Sequence, residues 1–293
     1  RREILTTGEN VLDYDDPPAH TLCGRIHQMS NGFNETAKVA CIGANSTGKT
    51  LQIRSLIEAF GPERVGIVSC EDGLKTIRSI LRHDQVKECN SIRDLKAAFQ
   101  WASETYSGQD KWVCVDGGTR AMQWVAGEVW AGTDAAYTMM ATGMGRNELP
   151  SALKPYLRFI TGQGEIDGQR QWIQIGRDID FELNRWVKLP ANMYWTFWED
   201  QTSLDQYRKG LPWQADAPGK AGRDAIYGAF DFILRLTRDG DKIVATHDPT
   251  KRVVRSKARD DWAGGIRIPS EMPDFQLSKF VNLITPKPVE VAQ

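Results

Sequence analysis

The sequence contains no unbroken apolar run of 18 residues, so no segment reads as a membrane-spanning helix. It also has almost no net charge, because 37 Lys and Arg face 38 Asp and Glu. That balance excludes nucleic-acid binding by bulk charge and leaves only local patches for it. There are five cysteines, an odd number without C-x-x-C spacing, and the four histidines are scattered singly. Neither set reads as a zinc site or a disulfide framework, and a reducing, cytoplasmic compartment is expected. Cys41, Cys70 and Cys114 lie in or at the end of apolar runs, where a free thiol acts as a small hydrophobe. Arg1-Arg2-Glu3-Ile4-Leu5 lacks the apolar segment of a signal peptide, and no internal repeat is present. With 41% hydrophobic and 26% charged residues, the composition is that of a folded globular protein.

Residues 1–37 are polar and interrupted by Asp15-Asp16-Pro17-Pro18, which reads as an N-terminal arm. From Lys38 the pattern is α/β, and one domain is expected over 38–275. Short apolar runs at 38–43, 65–69, 111–116 and 193–198 predict buried strands. Helical spacing predicts helices over 51–60, through Leu74, Ile77, Ile80 and Leu81, from Ser91, and over 178–188. Residues 117–176, rich in Gly, Met and Trp, read as a less regular insertion, and 201–225 as a polar loop. Asp239-Gly240 between two apolar runs predicts a hairpin, which Val253-Val254 continues as an antiparallel meander. Residues 276–293 are taken as a C-terminal tail, loose after Thr285.

The sharpest feature is Gly43-Ala44-Asn45-Ser46-Thr47-Gly48-Lys49-Thr50-Leu51, a complete G-x-x-x-x-G-K-T between a strand and a helix. The glycines let the backbone curl so that its N–H groups face a polyphosphate at a helix N-terminus. Lys49 would reach the β- and γ-phosphates, and the Thr50 hydroxyl would ligate Mg²⁺. The bland alternative is a Gly-rich turn without a ligand. Asp116 ends the strand Val113-Cys114-Val115 and would hold the same metal, unless it merely terminates the strand. The next residue is Gly117, so a general base following that Asp is missing. Glu71 directly follows the second strand and would lie at the carboxyl edge beside the P-loop, able to polarise water. Its bland reading is a place in a helix N-cap region, where Asp72 is the better cap.

Together these residues resemble the RecA-like ATPase core, most closely the phage-encoded RecA-like nucleotide-binding proteins that include single-strand-annealing recombinases. Pro218-Gly219-Lys220-Ala221-Gly222-Arg223-Asp224, with Phe230-Asp231-Phe232-Ile233-Leu234-Arg235-Leu236, is similar to that family's Gly-Lys loop and Asp-containing strand. Ser256-Lys257-Ala258-Arg259 is similar to the K-x-R of RecA-like ring helicases, which acts in trans on a neighbouring γ-phosphate. The resemblance spans about 36–275 and implies a mainly parallel sheet flanked by helices, with a C-terminal antiparallel meander. It implies Mg-ATP as ligand and homo-oligomers, filament or ring, with sites shared between subunits. Catalysis would then fall to Lys49, Glu71, Lys257 and Arg259. The chain departs from the family where the fourth strand ends in Thr196-Phe197-Trp198-Glu199, in place of a small-polar pair with a phosphate-sensing His or Gln.

Two segments have the chemistry of nucleic-acid contact. Tyr207-Arg208-Lys209-Gly210-Leu211-Pro212-Trp213 interleaves aromatics with cations, and Lys220 and Arg223 follow it. Lys251, Arg252, Arg255, Lys257 and Arg259 concentrate positive charge against a neutral background. The bland readings are an ordinary surface loop and a solvated strand edge. ATP hydrolysis coupled to single-stranded DNA, in phage-type recombination or annealing, is the expected function. The alternatives are a DNA-translocating motor (ring helicase or packaging ATPase) or a non-hydrolysing nucleotide-binding assembly module of a virion.

Overall fold

The computed structural model describes residues 36–200, 214–247 and 268–284. Apolar runs bounded by turn residues become central strands because helices cover both faces of the sheet they form. The strands are β1 (Lys38–Gly43), β2 (Val65–Ser69), β3 (Val86–Glu88), β4 (Gly108–Asp116), β5 (Ala191–Trp198), β6 (Phe232–Asp239), β7 (Lys242–Thr246) and β8 (Glu271–Met272). Their order is β3-β2-β4-β5-β1-β6-β7-β8. Pairing is parallel from β3 to β6 and antiparallel from β6 to β8. This is the expected RecA-like α/β architecture, a mainly parallel sheet closed by an antiparallel meander.

Alternation along each strand divides the core in two. On one side Ala40, Ile42, Val68, Val115 and Trp195 meet α2 (Ile92–Thr105), α3 (Gly118–Ala141), α4 (Gly168–Val187) and α5 (Gly219–Ala229). On the other, Val39, Cys41, Ile67, Cys114 and Tyr194 meet α1 (Lys49–Phe60) and α6 (Leu277–Ile284). The parallel strands all end at one edge, and β1 lies between β5 and β6, so the turns after β1, β2, β4 and β5 converge there.

Four local expectations are corrected. Residues 117–176, read as irregular, contain the 24-residue helix α3 and the first turns of α4, which starts at Gly168 rather than near 178. The predicted helix through Leu74 is a 3₁₀ segment, Asp72–Ile80. Leu74, Ile77 and Ile80 recur every three residues, a spacing that stacks side chains along a 3₁₀ helix rather than an α-helix. The end of the predicted 201–225 loop is the start of α5. Its small residues allow close packing on α4, since Gly176 lies against Ala221 and Gly222 against Ile179. Finally, 277–284 is not tail but α6, with Leu277, Phe280, Val281 and Ile284 buried. The Val253-Val254 continuation of the meander lies outside the described residues.

Candidate active site

The turn after β1 curls tightly enough that Ser46 and Gly48 both take left-handed backbone, at φ 64° and 92°. A Cβ on Gly43 would stand 2.5 Å from Thr47 Oγ1 and 2.7 Å from the Leu236 carbonyl, so a side chain there would open the loop. Asn45 and Ser46 are exposed at its tip, while Leu51 turns onto the second core. Lys49 opens α1, and its Nζ donates to the carbonyls of Gly43 (2.7 Å) and Ala44 (2.8 Å). The amine therefore lies across the mouth of the loop. Burial holds it below the usual lysine range, an effect opposed first by the charge of Glu71 and then by that of Asp116. From β5 the Tyr194 hydroxyl donates to the Lys49 carbonyl at 2.9 Å, tying the first turn of α1 to the sheet.

Thr50 faces Asp116 across the gap between α1 and β4. Its hydroxyl lies 3.2 Å from Oδ1 and 3.1 Å from Oδ2 of that carboxylate. Asp116 is only 4% exposed and also accepts from Thr196 Oγ1 at 2.9 Å. The Thr196 oxygen in turn accepts from the Gly117 N–H at 2.8 Å. Burial pushes the Asp116 carboxyl up, while the two threonine hydroxyls and Lys49 pull it back. A hydroxyl and a carboxylate facing each other supply oxygen donors for a small hard cation that keeps waters and phosphates as its remaining ligands. Among the described residues no cluster of three or more His, Cys, Asp or Glu forms an all-protein metal cage.

Glu71 follows β2 by two residues, at the same edge. It precedes the 3₁₀ segment yet makes no side-chain cap, and neither does Asp72, which pairs with Lys75 instead. The Glu71 carboxylate lies over Gly117, where a Cβ would come within 2.4 Å of Glu71 Cγ and 2.6 Å of Oε1. A side chain at position 117 would meet both the Glu71 carboxylate and a left-handed backbone, at φ 97°, and glycine avoids both. At the other end Oε2 accepts from Trp198 Nε1 at 2.9 Å. Burial and Asp116 push the Glu71 carboxyl up, while the Trp198 bond, Lys49 and Arg120 draw it down.

Glu199, next after Trp198, adjoins this cluster, its N–H donating to the Gly43 carbonyl at 3.2 Å, but its carboxylate is bonded to Arg235 Nε of β6. Lys220 and Arg223 lie on α5, and Arg223 is committed to Asp200 at 3.9 Å. Tyr207, Arg208, Lys209, Trp213, Lys257 and Arg259 fall outside the described residues. Sequence reasoning missed Tyr194, the Gly117–Glu71 contact and the donor role of Trp198. The available signals were the glycine directly after Asp116 and the unusual Trp198 at the end of the fourth strand.

No family model matches the chain. No curated protein matches it either. Among solved structures, it is similar to a prototypical ATPase from the type III secretion system of pathogenic bacteria. That pair is 12% identical with a TM-score of 0.36, covering 69% of this chain and 51% of the other. EscN, the assembled type III secretion ATPase of enteropathogenic E. coli, is 13% identical with a TM-score of 0.33, at 69% and 43% coverage. A further protein's ATPase domain is 11% identical with a TM-score of 0.32, at 71% and 75% coverage. The chain thus spans about half the length of the secretion ATPases, and likeness this distant says nothing of activity.

Proposed function

We propose that this chain is a RecA-like P-loop ATPase that binds Mg-ATP and hydrolyses it in work on single-stranded DNA, in recombination or annealing of the phage type. One observation carries the reading: Lys49, the Thr50–Asp116 pair and Glu71 meet at one sheet edge, around a tightly curled loop. Residues 43–51 would bind the polyphosphate, with Lys49 as its cation, and Thr50 and Asp116 would hold Mg²⁺. The metal, when bound, would offset phosphate charge. Glu71, partly buried, ready to accept and tied to no cap, would take the proton of the attacking water. Lys257 and Arg259 would complete the site from a neighbouring subunit of a filament or ring. The DNA half of the proposal is supported by residue chemistry, through the aromatic and basic residues at 207–213 and Lys220.

The test is steady-state ATP hydrolysis with and without single-stranded DNA, beside Glu71→Gln. Turnover that DNA stimulates and Glu71→Gln abolishes, with nucleotide affinity retained, is the expected result. DNA-stimulated turnover accompanied by directional strand displacement or translocation would favour the motor reading. Tight nucleotide binding without turnover would favour the assembly module.

A further inference from the structure

We infer that Trp198 is a positioning residue for Glu71, so that the strand end from which this class of protein would sense phosphate is wired instead to the base. The inference rests on the hydrolytic reading above and adds a residue to it. An indole has one donor and no acceptor, so Trp198 can neither take a proton from water nor ligate a metal. What it can do is occupy one carboxylate oxygen. Its Nε1–H lies 2.9 Å from Glu71 Oε2, and among the described residues it is the hydrogen-bond donor to that carboxylate. Among the described residues Oε1, on the Gly117 side, accepts no hydrogen bond and would be the oxygen that meets water. The charged groups bearing on Glu71 from the packed elements are Lys49 on α1, Asp116 on β4 and Arg120 on α3.

The indole is itself held in place. The Arg120 guanidinium lies over its ring, 5.8 Å from the centroid. The Trp198 N–H donates to Thr119 Oγ1 at 2.9 Å, and the Thr119 hydroxyl donates to the Asp216 carbonyl at 2.9 Å. The Asp216 N–H donates back to the Trp198 carbonyl at 2.8 Å, closing a ring of three bonds. Thr119 is fully buried and touches neither Glu71 nor the P-loop in any hydrogen bond. The carboxylate is thereby fixed through Trp198 to the segment that leads into α5, and its aim depends on that ring.

The experiment uses the full chain. Trp198→Phe keeps a ring and deletes the donor, and Trp198→His returns a ring N–H. Loss of one charge-assisted hydrogen bond predicts a fall in kcat of about 10- to 100-fold in Trp198→Phe, with nucleotide Kd held within about threefold. Trp198→His should recover part of that loss, and Thr119→Val should lower kcat in the same direction. In a Glu71→Gln background, Trp198→Phe should cause no further loss, because the two act through one carboxylate. A second readout is independent of turnover. The ¹⁵N-indole signal of Trp198, identified among the ten tryptophans by its absence from Trp198→Phe, should move in Glu71→Gln. Wild-type hydrolysis with an unimpaired Trp198→Phe, or with kcat falling as Kd rises, overturns the positioning role and leaves the ATPase reading standing. An indole signal indifferent to Glu71→Gln also overturns it. Absence of wild-type hydrolysis refutes the ATPase reading itself, and the inference falls with it.

Discussion

Gly117→Ala isolates the geometry of the base, because it changes no functional group. The new Cβ would stand 2.4 Å from Glu71 Cγ, where ordinary contact begins at 3.4 Å, so the carboxylate must retreat by about 1 Å. A shift of that size draws Oε2 off the Trp198 indole and carries Oε1 away from the phosphate edge. Misplacement of a catalytic group by about 1 Å costs on the order of 10²-fold in rate. The backbone contributes separately. Gly117 sits at φ 97°, and a non-glycine residue there costs roughly 1–2 kcal/mol, or about 2–8 °C of Tm in a domain of this size. The expected variant is folded, melts a few degrees early, binds nucleotide normally and hydrolyses it about 10²-fold more slowly. Calorimetric titration, thermal unfolding and a coupled hydrolysis assay read the three quantities independently. A Gly117→Ala protein that turns over within about threefold of wild type would refute the placement of the base at Glu71.

Three further outcomes follow from the same structure. Lys49→Ala removes the cation that bridges the mouth of the loop and should abolish nucleotide binding in a folded protein; near-wild-type calorimetric affinity contradicts this. Lys38 is buried at the start of β1, donating to the carbonyls of Leu189 and Ala191, and burial lowers its amine from 10.5 to about 8. The unfolded chain therefore holds the extra proton between those values, and stability should rise with pH across the window, by up to about 3 kcal/mol. Denaturant unfolding of wild type and Lys38→Met should show the difference between them changing over that range, and parallel pH curves would exclude it. Mixing the inactive variants Arg259→Ala and Glu71→Gln should restore hydrolysis where an intact Glu71 meets a neighbour's intact Arg259. Co-assembled mixtures that stay inactive count against a finger acting in trans.

The central strands were legible because parallel strands covered on both faces read as apolar runs, and 38–43, 65–69 and 193–198 need no more than that. The P-loop was legible because its glycines are required by backbone geometry. β3 was not, since three residues with two exposed side chains carry no pattern. Helix α5 escaped notice because the small residues that seat it on α4 are also the residues of loops. Position 198 was recognised as departing from the resembled family, but its purpose lies in a partner 127 residues away. Only the parallel register of β2, β4 and β5 makes the two side chains neighbours.

The contact between α6 and α1 has a consequence for how the chain matures. Gln52 of α1 donates to the Phe275 carbonyl and accepts from the Leu277 N–H, across 223 and 225 residues of sequence, and Ser55 accepts from Ser278. The helix that opens with Lys49 and Thr50 is thus bonded on its outer face by nearly the last described residues of the chain. On the ribosome, β1 and α1 are made long before α6 and stand with that face uncovered until it follows, since contacts so distant in sequence form late. Nascent chains halted before residue 277 should engage nucleotide poorly although the whole P-loop is already made, and α6, once clear of the exit tunnel, would complete the support of α1.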